Sequence, residues 1–122
     1  MNVKLPTTRL EVPKWASNLL NQLYEIERKL LLHGDSGNAL RNVAKMKTSL
    51  EEIGCFYEDP MGQSFKETRT DLEATISGEG TENLHVVEVI KPILRYGTRD
   101  LSTVFQKGIV VVESQTIGKA NI

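Results

Sequence analysis

The hydrophobic period of this 122-residue chain changes at Gly54, and that change limits what the chain can fold into. Upstream of it, Trp15, Leu19, Leu23, Ile26 and Leu30 recur at steps of three and four, the spacing of one helix face. Pro13 suits the first turn of a helix, where its missing N–H costs nothing. The spacing predicts a helix over about 13–32. Leu20, Leu31 and Leu32 widen its apolar side beyond a narrow seam. A lone amphipathic helix of this length is marginal in water, so so wide a face implies packing on more than one partner. The segment His33-Gly34-Asp35-Ser36-Gly37 is a break, in which Gly34 ends the first helix and Asp35 or Ser36 caps the next. Leu40, Val43, Met46, Leu50 and Ile53 then predict a second helix over about 37–53, closed by Gly54. A short break favours an antiparallel helical hairpin; the rival is one longer helix bent at Gly34 and Gly37.

After Gly54 the helical period disappears. Cys55-Phe56-Tyr57 reads as a short strand, and Asp59-Pro60-Met61-Gly62 as a β-turn with Pro second and Gly fourth. Further strands are expected at 72–77, at the β-branched run 86–90, at 93–96, at Val104-Phe105 and at 109–112. Pro92 limits how the run 86–90 continues, and Gly108 suggests a bulge, a bend or a close backbone approach. Residues 77–83 are polar with two glycines and read as a loop, and residues 115–122 as a weakly anchored tail. The fold class is therefore α+β, with a helical region at 1–54 and a small all-β head at 55–122. The charge shifts at the same boundary: residues 1–54 hold 8 basic and 6 acidic side chains, and residues 55–122 hold 7 and 10.

Composition narrows function mainly by exclusion. A net charge of −1 argues against broad phosphate-backbone binding, so no nucleic acid is expected. One cysteine and two histidines leave no disulfide framework and no His/Cys metal cluster. The first twenty residues lack the apolar run of a signal peptide, and no stretch approaches the ~20 apolar residues of a membrane span. The expectation is a cytoplasmic protein with no membrane partner. No phosphate loop, dinucleotide fingerprint or nucleophile elbow occurs; Gly78-Glu79-Gly80 lacks the third glycine and the following helix. Cys55 follows a helix C-terminus, where the dipole disfavours a thiolate, and reads as a packing residue. A small enzyme using Cys55 is the alternative. His33 reads as a helix-end residue and His85 as a strand-border residue. Glu51 and Glu52 point in different directions on a helix and read as a solvated face. Lys91, Arg95, Arg99 and Lys107 flank the hairpin region and suit either an acidic partner surface or charged edges that guard a sheet. No catalytic residue, cofactor or metal ligand is expected.

The order of elements is more informative than any one residue. A helix ending in Leu50, then Ile53-Gly54, a strand, Asp59-Pro60 and Phe65 resembles the GrpE family, the nucleotide exchange factors of DnaK-type chaperones. Glu73-Ala74 matches a Glu-Ala pair of the family, although Leu72 stands where the family has His and the spacing is about two residues longer. Val86-Val87-Glu88-Val89-Ile90-Lys91 and Ile109–Val112 match its later strands. Pro92-Ile93-Leu94 replaces a Lys-Gly-Tyr, and the hairpin through Tyr96-Gly97-Thr98-Arg99 is roughly four residues longer. The resemblance covers about residues 16–113. Only about a dozen residues precede the first helix, where family members carry a much longer paired helix, so this is a short and divergent relative. The resemblance implies a homodimer whose short helices form a four-helix bundle, with β heads projecting from it. One head binds the ATPase domain of the chaperone and promotes ADP release by preferring its open state. By the same resemblance, Gly54 at the junction, Phe56 and Tyr57 beside it, and Arg95, Tyr96 and Arg99 in the hairpin are the candidate partner-binding residues. For Gly54 a plain helix cap, and for Phe56 and Tyr57 a core position, are the competing readings. The alternative function is an adaptor of the same fold without exchange activity.

Overall fold

The computed structural model describes residues 12–115 of the chain. Helix α1 runs Lys14–His33 and helix α2 runs Ala39–Glu52. They fold back on one another as separate helices, tied by Lys47 Nζ, which reaches Glu27 at 3.2 Å. The bent-single-helix alternative is therefore excluded. Gly34 closes α1 by donating its N–H to Leu30 O. The second helix starts two residues later than its pattern suggests, because Asn38 takes a left-handed conformation in the turn. Asp35 still caps it, its two carboxylate oxygens accepting from the backbone N–H of Ala39 and Leu40. This satisfies two of the donors that any helix start leaves without a partner.

Six strands follow: β1 Cys55–Glu58, β2 Leu72–Ser77, β3 Leu84–Lys91, β4 Ile93–Gly97, β5 Ser102–Gln106 and β6 Gly108–Ser114. They form two three-stranded sheets, ordered β1-β4-β5 and β2-β6-β3. All pairs are antiparallel except β2 with β6, which is parallel. The chain passes from one sheet to the other through residues 59–71, at Pro92 and at Lys107. Gln106 Nε2 donates to Pro92 O and joins the last two of these crossings. Gly108 lies at a close approach: a Cβ there would meet Leu72 Cδ2 at 2.8 Å. The bulges fall elsewhere, at Val86/Glu88, Val89/Lys91 and Leu94/Arg95. The turn after β1 is also one residue later than expected. Gln63 N–H donates to Pro60 O, so Pro60 is first and Gly62 third, while Asp59 accepts from Met61 N–H.

The two regions share one core. Ala16, Leu20, Leu23 and Tyr24 of α1 join Val43 and Leu50 of α2 and the inward strand residues Leu72, Val86, Ile93, Leu94, Val110 and Val112 in a single buried cluster. Residues 1–54 and 55–122 differ in secondary structure but do not have separate interiors within the described residues. Only part of the expected helix face is used. Leu23 is buried with Ala16 and Leu20, whereas Trp15, Leu19 and Ile26 remain 53%, 40% and 42% exposed. At 100° per residue these three lie within about 40° of one another, a stripe beside the buried face. Met46 on α2 and Ile53, just past its end, are likewise exposed. No described helix is long and apolar enough to cross a membrane.

Candidate partner-binding face

Gly54 sits where α2 hands the chain to β1, with φ near +92°. Its N–H donates to Glu51 O and its carbonyl accepts from Gly97 N–H at 2.8 Å. A side chain here is strained by the backbone alone, and a Cβ would also meet the Tyr96 ring at 3.1 Å. Gly54 thus follows Ile53, the C-cap of α2, and forms the junction between α2 and β1. The β1–β4 register places Cys55 opposite Tyr96 and Phe56 opposite Arg95. The hairpin between β4 and β5 turns at Thr98–Leu101, where Thr98 N–H donates to Leu101 O.

Arg99, from this turn, folds back onto the junction. Its guanidinium lies 4.4 Å from the Phe56 ring centroid and donates to Glu51 at 2.8 and 3.2 Å. The Arg99 side chain beside it holds the Glu51 carboxyl below the usual carboxylate range. Glu51 is solvated, as its position predicts, with its side chain 39% exposed, and in addition it pairs with Arg99 of the hairpin. Nothing in the sequence signals this, because the pair spans 48 positions. Arg95 is also engaged internally, donating to Glu58 at 2.8 Å and to Asp71 at 3.3 Å. Asp71 accepts two parallel bonds from Arg69 as well, and these hold its carboxyl low. Of the four basic residues grouped from the sequence, Arg95 and Arg99 are therefore neutralised within the chain. Lys91 and Lys107 are exposed. The candidate face is accordingly less basic than the sequence suggests.

Phe56, Arg95 and Arg99 share one face of the β1-β4-β5 sheet, whereas Tyr96, paired with Cys55, projects from the other face and lies against Gly54. Around them stand two exposed apolar residues absent from the expected set, Ile53 and Leu101, the latter 82% exposed. Phe56 is buried and acts as the floor beneath Arg99. Tyr57 departs from the group. Alternation along β1 turns it toward the helices. There its hydroxyl donates to Glu27 at 2.5 Å and its ring meets Tyr24 edge-on at 5.6 Å. Burial, then the Glu27 carboxylate, pushes the Tyr57 phenol up. Burial and Asp59 push Tyr24 up to about 12. Glu27 also takes Lys47, so one carboxylate ties α1, α2 and β1. Arg28, stacked 5.2 Å from the Tyr24 ring centroid, donates to Val89 O at 2.8 Å and adds a tie to β3. Tyr57 thus orients the head on the helices and offers little surface of its own.

Cys55 is buried, and burial pushes its thiol up, away from the thiolate form that nucleophilic chemistry requires. His33 is exposed at the end of α1, and His85 Nδ1 lies 3.2 Å from Asn83 O. Among the described residues no three His, Cys, Asp or Glu side chains are grouped to hold a metal ion. In comparisons with known proteins, the chain matches no family model, no curated protein and no solved structure.

Proposed function

We propose that this chain is a GrpE-like co-chaperone. Two copies pair through their helical regions, and a β head docks on the ATPase domain of a DnaK-type chaperone. By binding the open, nucleotide-free state more tightly, the head shifts that domain toward it and promotes ADP release. The observation that carries this reading is the combination of an exposed apolar helix stripe with a head fixed rigidly to the same helices. Trp15, Leu19 and Ile26 are available for a second chain, while Glu27 and Arg28 on the same helix hold β1 and β3. A body that pries a cleft needs such a stiff link between its handle and its tip. The tip would be the exposed Ile53 and Leu101 beside Gly54, braced by Arg99 on Phe56 and Glu51, with Tyr96 on the other face of the sheet. The reading needs no catalytic side chain.

The test is the rate at which labelled ADP leaves the DnaK-type ATPase of the same cell, with and without this protein. Acceleration that disappears with Leu101→Asp supports exchange activity. Binding without acceleration assigns the chain to the adaptor alternative. Absence of binding to any DnaK-type ATPase of that cell refutes both.

A further inference from the structure

The outer face of the β2-β6-β3 sheet is apolar where a solvent-facing side is normally polar. Residues directly opposite one another in a ladder share a face, and neighbours along a strand alternate. Val110 and Val112 of β6 are buried, so Ile109, Val111 and Glu113 lie on the outer side. The register puts Glu73, Thr75 and Ser77 of β2 beside them on one flank. On the other flank it puts Lys91, Glu88 and His85 of β3. The two bulges of β3 add to this face. Val87 and Ile90 are three positions apart, so strict alternation would send them to opposite sides. Each is instead the extra residue of a bulge, and both point outward, 38% and 49% exposed. Four β-branched aliphatic side chains, Val87, Ile90, Ile109 and Val111, therefore form one strip along β6 and β3.

The charges around the strip are mainly acidic. Glu73 flanks Ile109 from β2, Glu88 flanks Val111 from β3, and Glu113 closes the strip toward the end of β6. Lys91 is the one lysine or arginine that the register places on this face. Among the described residues no cation pairs with Glu73 or Glu88, both of which are exposed. Glu113 accepts from the Ser77 hydroxyl at 2.9 Å. Glu73 and Glu88 stand two strand spacings apart across β6 and two residues apart along it, so their Cα atoms are about 12 Å from one another. That is about the diameter of a helix with its side chains. The two carboxylates thus stand on either side of a track of helical width whose floor is aliphatic.

We propose that this face takes an amphipathic helix of another protein, one whose aliphatic stripe is flanked by Lys or Arg. The helix lies along β6, with its stripe on Val87, Ile90, Ile109 and Val111. Its flanking cations reach Glu73 on one side and Glu88 on the other. Burial of the strip supplies affinity, and the carboxylates set the sign of the partner's charge. The same carboxylates disfavour nucleic acid and anionic membrane surfaces. The site shares no residue with the Gly54 face and does not rest on the chaperone assignment.

The probe is a fluorescein-labelled peptide of leucine, alanine and lysine patterned as an amphipathic helix, titrated against the full chain by anisotropy. One comparison peptide replaces lysine by glutamate, and another keeps the composition in scrambled order. Saturable binding is expected, weakened about tenfold or more by either change, by Ile90→Arg, and by the pair Glu73→Lys and Glu88→Lys. Leu101→Asp, at the Gly54 face, is expected to leave it unaltered. Lack of binding by the patterned lysine peptide overturns the proposal. Equal binding of the scrambled peptide does so too, because it reduces the interaction to charge. Binding that Leu19→Asp abolishes and Ile90→Arg spares places the peptide on the α1 stripe and refutes the assignment. Self-association that Ile90→Arg abolishes gives the face to a second copy. Methyl signals of Ile109 and Val111 already shielded from a soluble nitroxide in the free monomer give it to the chain itself; either result also overturns the proposal. Circular dichroism of each variant separates lost binding from lost folding.

Discussion

If two chains pair along the exposed stripe of α1, replacing Leu19 and Ile26 by aspartate dissociates them. Fully burying a Leu or Ile side chain contributes about 1.5–3 kcal/mol. Their own chain already covers more than half of each, since 40% of Leu19 and 42% of Ile26 remain exposed. The apolar gain left for a partner is therefore about 1 kcal/mol per residue. A two-fold interface uses the same patch on both chains, so each substitution removes about 2 kcal/mol and the pair about 4 kcal/mol. At 1.4 kcal/mol per tenfold, the double variant raises the dissociation constant about a thousandfold. The carboxylates facing one another across the axis add to this. Sedimentation velocity over a concentration series reads the effect directly, with Lys45→Asp, on the exposed side of α2, as the charge control. Since both substituted positions lie outside the buried cluster, the far-ultraviolet spectrum is expected to persist. A wild-type mass of 13.7 kDa at every concentration, or a double variant that associates like the wild type, would refute the reasoning.

Two further outcomes follow from the junction and the ion pairs. Gly54→Ala is expected to cost about 1–2 kcal/mol from the positive φ, and a second change, Tyr96→Ala, restores only the part due to the ring contact; thermal melts of the single and double variants check this. Asp71 has its carboxyl held low by Arg69 and Arg95, so its contribution is complete above the ordinary aspartate value of about 3.9 and fades as pH falls through the lower folded value. Asp71→Asn should therefore lower the melting temperature near pH 7 by roughly 3–6 °C, with the gap to wild type closing in strong acid; a gap independent of pH contradicts the ionic account.

The elements themselves were largely legible, and their partnerships were not. Pro13 and Gly34 bracket α1, because a missing donor and a backbone-permissive residue mark helix ends within the sequence itself. The β-branched run announced β3 and the Ile-Val-Val-Val run β6 for the same local reason. Which apolar side of α1 enters the core was not readable, since Trp15, Leu19 and Ile26 and Ala16, Leu20 and Tyr24 make adjacent stripes of similar character. The decision is tertiary: the smaller Ala16 and the hydroxyl of Tyr24, which finds Asp59, fit against the head. Likewise the Gly54 junction could be singled out locally, whereas the Arg99–Glu51 clamp and the inward turn of Tyr57 depend on pairings dozens of residues apart.

The parallel pair of β2 and β6 also bears on the order in which the molecule is made. β6 is the last described strand to leave the ribosome, yet it is the middle strand of its sheet and the one to which both β2 and β3 are bonded. Thirty-odd residues separate β2 from it, so closing that pair carries a large loop-entropy cost and belongs late in folding. The helices and the β4–β5 hairpin can form while synthesis continues, but β2 and β3 wait without their central strand until residues 108–114 emerge. During translation the nascent head therefore depends on whatever shields those two strands, and a slow codon or a premature stop just before Gly108 leaves an aggregation-prone intermediate in place of a closed sheet.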